Sequence, residues 1–122
     1  MDIESLRQHC ISKKGTTEEF PFDNNTLVFK VMGKMFALIP LEQWEAGTGS
    51  VSLKCDPDYN AELKAEYDSI GHGPYLNSKH WNRVSVHTGE LKPEFVLSLI
   101  DHSYDMVVKG LTKKLKEELD RK

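Results

Sequence analysis

Residues 20–40, FPFDNNTLVFKVMGKMFALIP, hold the densest apolar run in the chain and its clearest fold signal. The run reads as a β-hairpin closed at Met32-Gly33. Counting outward from a two-residue turn there, Val31 faces Lys34, Phe29 faces Phe36 and Leu27 faces Leu38. These pairs share one face because side chains alternate along a strand. The other face carries Val28 with Ala37 and Lys30 with Met35. One face is strongly apolar and the other mixed, which suits an antiparallel sheet covered by helices on one side. Gly33 fits a turn position with positive φ. Met32 is not a favoured turn residue, so the turn type stays open. Lys30 and Lys34 read either as anion contacts or as solvated lysines at a sheet edge.

Working back from the hairpin, Asp2 is placed to cap a first helix. Its apolar stripe is Ile3, Leu6 and Cys10, and Gly15 suits its left-handed end. Thr16 to Glu19 reads as a polar connector. Working forward, Leu41 to Glu45 fits one helical turn inside a loop. Val51, Leu53 and Cys55 alternate with Ser52 and Lys54, which predicts a half-buried strand. Asp56-Pro57 opens a helix with Tyr59, Leu63 and Tyr67 inward and Ile70 nearby. Gly71 to Pro74 breaks it. Trp81 to Val86 predicts a strand, with Trp81, Arg83 and Ser85 on one face and Asn82, Val84 and Val86 on the other. Pro93 starts a longer helix ending near Lys109. Thr112 caps a last one, where Leu111, Leu115 and Leu119 line up at i, i+4 and i+8. No internal repeat or low-complexity segment interrupts this order.

A chain of 122 residues accommodates one domain. At that size roughly 65% of the unfolded surface can be buried, enough to stand without staples. The apolar fraction of 39% and charged fraction of 29% are those of an ordinary globular protein. No apolar run approaches the ~20 residues of a membrane span, and the N-terminus lacks a signal-peptide pattern. Cys10 and Cys55 belong to no motif and read as reduced, buried thiols of a cytoplasmic protein. From Lys109 onward, six cations stand against three anions, so that segment is +3 and residues 1–108 are −6 in a chain of net −3. A body of that sign binds phosphate only through a local basic patch.

No motif signals catalysis. The histidines form no H-E-x-x-H, no cysteine pair has C-x-x-C spacing, and no P-loop, G-x-G-x-x-G or G-x-S-x-G is present. Nothing in the spacing of His72, His80 and Cys55 favours a metal site. The chain is expected to be non-catalytic, without metal or cofactor. The stretch with most functional content is Tyr75-Leu76-Asn77-Ser78-Lys79-His80-Trp81-Asn82-Arg83. It mixes aromatic, amide and basic side chains, the parts with which proteins stack bases and pair phosphates. Equally, Trp81 can be a core aromatic and Lys79 and Arg83 plain surface charges.

Four segments in order, FPFD…LVFKVMGKMFALI, SLKCDP, PYLNSKHWNRV and LIDHSYDMVVKGL, resemble the MmcQ/YjbR family of small bacterial proteins over nearly the whole chain. GKMFAL, LNSKHW and SYDMV are the most specific pieces. The resemblance implies a single α+β domain over residues 1–122, an antiparallel β-sheet with helices packed mainly on one face, grouped with the frataxin-like (CyaY-like) folds. It implies DNA as partner, through a proposed double-wing arrangement, and no catalytic set. Carried onto this chain, the nucleic-acid-binding candidates are Lys79, His80, Trp81 and Arg83, then Lys34. The cations would pair phosphates and Trp81 would stack.

The alternative is a protein-interaction or small-ligand-binding module without a nucleic-acid role. The net negative charge and the leucine stripe of the last helix, within 109–122, motivate it. That helix would dock on its own domain or on a protein partner. No membrane partner is expected, and the chain is expected to be a monomer.

Overall fold

The hairpin forms where the alternation places it, as strands β2 (Thr26–Val31) and β3 (Lys34–Pro40). The structure, a computed structural model, describes all 122 residues. Met32 and Gly33 both have positive φ, +49° and +82°, so the turn is of the mirror-image type whose twist matches a hairpin. Met32 tolerates this conformation because its N–H donates to the Gly15 carbonyl at 3.3 Å and its side chain packs on the core.

The register departs from the count made outward from the turn. Val31 faces Lys34 and Lys30 faces Met35, but Phe29 then faces Ala37 and Leu27 faces Ile39. Phe36 is an extra residue on β3, a bulge. The expected Phe29–Phe36 and Leu27–Leu38 pairs are therefore absent, and Ile39, not Leu38, is fully buried. Period-two counting cannot register an inserted residue. Phe36 still turns inward, 6.4 Å from the Phe29 ring and edge-on to Tyr104 at 5.4 Å.

The remaining elements are α1 (Ile3–Ile11), β1 (Thr16–Glu19), α2 (Leu41–Glu45), β4 (Ser50–Lys54), α3 (Pro57–Glu66), β5 (Ile70–Gly71), β6 (Trp81–Ser85), α4 (Pro93–Lys109) and α5 (Lys113–Asp120). One six-stranded sheet runs β1-β2-β3-β4-β6-β5, antiparallel throughout. The N-terminal caps are as the sequence suggests, whereas α1 ends at Ile11 with Ser12 as its cap and Gly15, expected at its left-handed end, takes positive φ three residues later. Asp2, Asp56 and Thr112 each accept a backbone N–H at a helix start, and Pro57 and Pro93 occupy first-turn positions. Two strands differ from expectation. Thr16–Glu19, read as a connector, pairs with β2 as an edge strand. Ile70–Gly71, read as a helix end and breaker, pairs with β6. Neither has its own apolar alternation. Their pairing is imposed by a neighbour's open edge, a tertiary effect that short polar edge strands commonly show.

The helices lie on one side. Leu6 and Cys10 of α1, Leu63 of α3, Val96, Leu99, Ile100 and Val107 of α4, and Leu119 of α5 share one core with Phe29, Val31, Phe36, Val51, Leu53 and Val84 of the sheet. The last helix is thus packed on its own domain. Leu111 and Leu119 are buried, and the Lys14 ammonium donates to the Asp120 carbonyl at 3.2 Å. The stripe that motivated docking onto a partner is occupied within the chain.

One node stitches α4 to the bulge. The Ser103 hydroxyl, fully buried, donates to the Phe36 carbonyl at 2.6 Å and accepts the Lys54 N–H at 2.8 Å. It bridges β3 and β4 just past Ala37–Leu53, where their pairing ends. The segments carrying GKMF, SLKC and SYDM therefore meet at a single hydroxyl.

Asp101 joins α1 to α4. His9 Nε2 lies 2.7 Å from its Oδ1, and Lys13 pairs with the same oxygen. Partial burial pushes the Asp101 carboxyl up, but the contacts from Lys13 and His9 outweigh it and hold the group below the ordinary aspartate value. A depressed carboxyl stabilises the fold above its unfolded value, about 3.9, and that contribution disappears as pH falls through the folded one. The carboxylate is 44% exposed, so solvent screening limits the contribution to less than about 1 kcal/mol. Asp101→Asn is expected to melt slightly lower at neutral pH and to lose less stability than the parent below about pH 4. Melting curves from pH 7 to 3 check this; parallel losses in both proteins would refute it.

Candidate nucleic-acid interface

Strand alternation sorts the sheet into two faces. Val51, Leu53, Asn82 and Val84 point to the helices. Ser50, Ser52 and Lys54 of β4 and Trp81, Arg83 and Ser85 of β6 point away. Across that outer face Lys54 is directly opposite Trp81, Ser52 opposite Arg83, and Leu38 opposite Ser52. Lys30 and Met35 continue the same face on β2 and β3. No helix covers it.

At one end of the sheet β3 begins, β4 ends and β6 begins; Lys54 and Trp81 belong to the outer face there, whereas Lys34 is the register partner of the inward-facing Val31. Lys34, Met35, Lys54 and Trp81 line a hollow there of about 360 Å³, closed by Val107 and Gly110 at the end of α4. Trp81 is half-buried, so the ring is neither a core residue nor free. Lys34, Lys54, Lys79 and Arg83 have no carboxylate partner, because the ion pairs of the molecule are confined to Arg7 with Glu4 and Glu18, Asp101 with His9 and Lys13, and Lys30 with Glu19.

The turn before β6 is held from beneath by α3. The amide of Asn60, itself buried, lies 3.0–3.1 Å from the carbonyls of Ser78, Lys79 and Trp81, and its oxygen accepts from Asn82 at 3.0 Å. The Lys64 ammonium donates to the Ser78 carbonyl at 2.7 Å. The Asn77 side chain accepts the Lys79 N–H at 2.9 Å. These bonds fix where Trp81 enters the sheet. The preceding segment folds across the outer face. A side chain at Gly73 would stand 3.2 Å from Ser52 Oγ and 3.6 Å from Arg83 Cβ. Tyr75, in that segment, is fully exposed and has φ +66°.

Of the candidates, Lys34 and Trp81 meet in the hollow and Arg83 lies two residues along the same face. Lys79 is exposed on the turn and does not line the hollow. His80 contributes its carbonyl, which accepts the Cys55 N–H at 2.8 Å. Sequence reasoning missed Lys54 and Met35. The alternation of β4 already turned Lys54 away from the core, but only the β4–β6 neighbourhood sets it against Trp81.

Neither cysteine is an activated thiol. Burial pushes Cys10 up to about 12, and burial, followed by the nearby Asp56 charge, pushes Cys55 up to about 11. His102 Nε2 lies 3.1 Å from the Asp56 N–H, so it serves the start of α3.

The YjbR family model matches residues 11–106 of the chain. A protein of Escherichia coli O157:H7 named "Uncharacterized protein YbdF" is 38% identical over 96 residues, 78% of this chain and 75% of that protein. A crystal structure of Deinococcus radiodurans protein DR2400, a DUF419 domain, superposes with a TM-score of 0.84 at 38% identity, covering 98% of this chain and 88% of that one. A crystal structure of a Pseudomonas syringae protein superposes at 0.73 with 20% identity, covering 87% and 98%, a likeness of fold. On the match over residues 11–106 and the shared α+β architecture, the chain belongs to the YjbR family.

Proposed function

We propose that this protein binds DNA, without catalysis, through the outer face of its sheet. The observation that carries the reading is the cross-strand pair Lys54–Trp81. Around it stand Lys34 and Arg83, none of the three cations neutralised by a carboxylate. Affinity for phosphate comes mainly from cations that displace counterions, and a cation already paired contributes little. The acidic remainder of the chain keeps the contact local and the number of phosphates small.

The test is fluorescence anisotropy with a labelled duplex and a labelled single strand, from low to physiological salt. Saturable binding to either, falling as salt rises, supports the reading. Lys54→Ala and Arg83→Ala are each expected to reduce the salt slope by about one unit while leaving the melting temperature near that of the parent. Absence of binding to both probes at the lowest salt would refute it.

A small-ligand reading has one observation in its favour. A groove of about 550 Å³ lies at the opposite end of the sheet, lined by Met1, Ile3, Leu41, Trp44 and Val86 among others. Its volume is in the range of ligand sites. Binding of an apolar dye that Leu41→Glu abolishes would support this reading; dye binding unchanged by Leu41→Glu would count against it.

A further inference from the structure

We infer that the preferred ligand of the outer face is a single strand, with bases stacked on Trp81 and Tyr75 and phosphates against Lys34, Lys54 and Arg83. This rests on the nucleic-acid reading above and narrows it to one substrate class.

The first reason is shape. Proteins that read duplex DNA commonly place a helix or a projecting ribbon in the major groove. Here α1, α3, α4 and α5 pack on the far side of the sheet, and the end of the sheet carries, against the last turn of α4, a hollow instead of a projection. At about 360 Å³ the hollow admits a flat base and excludes a double helix. Segment 71–80 crosses the outer face at Gly73, pressed against Ser52 and Arg83, and so raises a wall beside the strands. A flexible strand can follow such a floor and wall.

Aromatic placement is the second reason. Trp81 forms part of the hollow and lies opposite Lys54. An aromatic ring beside a cation is the pairing with which sheet platforms hold an unstacked base and its phosphate. Bases inside a duplex are already stacked and cannot reach it. Tyr75 is harder to explain by folding. It occupies a left-handed conformation unfavourable to a residue with a bulky side chain, and it buries nothing. The other exposed aromatic with a groove, Phe20, stands at the opposite end of the sheet, beside Leu41 and Ile3. Tyr75 alone among the exposed aromatics rises from the segment that crosses the cationic face.

Charge is the third. Three or four free cations on a chain of net −3 make few phosphate contacts. Stacking adds affinity that salt does not remove, and it is available only from single strands.

The experiment compares three labelled probes of about twelve nucleotides, a typical site size: oligothymidine, a duplex, and an abasic strand with the same phosphates. Binding to the parent protein is read by anisotropy. Emission of Trp44→Phe, in which Trp81 is the only tryptophan, reports stacking. Oligothymidine is expected to bind about tenfold tighter than the duplex and than the abasic strand. It should quench Trp81, and Tyr75→Ala should weaken it about fivefold or more with no change in melting. Equal binding of oligothymidine and the abasic strand, or tightest binding of the duplex, overturns the single-strand assignment and leaves the phosphate-binding reading in place. Failure of all three probes overturns both. The anisotropy comparison uses unaltered protein, so a poorly folded Trp44→Phe would not shield the proposal.

Discussion

Ser103→Ala is expected to lower the melting temperature by roughly 10–20 °C at this chain length. The substitution removes one hydroxyl and takes a partner from one buried and one part-buried main-chain group. The Phe36 carbonyl, just past the end of the β3–β4 pairing, loses its donor at 2.6 Å, and the Lys54 N–H loses its acceptor at 2.8 Å. An unsatisfied buried polar group costs about 1–3 kcal/mol and the part-buried Lys54 N–H falls in the lower part of that range, so the pair costs about 2–5 kcal/mol. Ser103 is fully buried, so water is a poor substitute. Ser98→Ala supplies the control. Ser98 lies on the same helix and its hydroxyl donates to the Phe95 carbonyl at 2.6 Å, but it is exposed. Its replacement is expected to change stability by less than about 1 kcal/mol. Chemical denaturation of both variants, with amide exchange at Lys54, is the measurement. If Ser103→Ala unfolds as Ser98→Ala does, the bulge does not depend on this hydroxyl.

The second large effect is expected at Gly15. Its φ is +72°, which costs a residue with a Cβ about 1–2 kcal/mol. A methyl group there would also stand 2.5 Å from Leu119 Cδ1. That atom terminates a flexible side chain, but Leu119 is buried, so it moves only by giving up packing. Partial loss of a buried leucine adds about 1–2 kcal/mol. Gly15→Ala is therefore expected to destabilise by about 2–4 kcal/mol. The two causes separate in a cycle with Leu119→Ala. In that background the contact is gone, and Gly15→Ala should cost only the backbone share, about 1–2 kcal/mol. Equal costs in both backgrounds would mean that Leu119 does not press on this turn. The cycle also tests whether the last helix is an integral part of the domain.

Both predictions fall on residues that link distant segments, and that is also where sequence reading stopped. Local chemistry was legible. Asp2, Asp56 and Thr112 cap helices because a short side-chain oxygen preceding an apolar stripe can serve little else. Gly33 closes the hairpin because its backbone must turn left-handed. The alternation of residues 81–85 put Asn82 and Val84 on one face and Trp81 and Arg83 on the other, and the structure turns the first pair inward. The long helix from Pro93 to Lys109 was readable end to end.

The candidate interface was legible in part. Lys34, Trp81 and Arg83 carry the right chemistry, and their segments could be named. That Lys34 and Trp81 share a hollow, while Lys79 stays outside it, depends on strand order. Lys54 was an unremarked polar position of an alternating strand until β4 was seen between β3 and β6. The YjbR segments gained a structural meaning as well. GKMF, SLKC and SYDM converge on Ser103, whose hydroxyl joins the main chains of the first two.

The helices, the central hairpin, the two faces of the main strands and the family were readable from residue order alone. These follow from torsional preferences, capping and periodicity, which act within a few residues. Long-range packing set the strand status of Thr16–Glu19, the register of β3 beyond Met35, the docking of α5, and the meeting of Lys34 with Lys54 and Trp81 at one end of the sheet, with Arg83 on the outer face beside them. Each of these is a contact between segments far apart in the chain, chosen by which backbone groups remain to be paired and which surfaces remain to be buried.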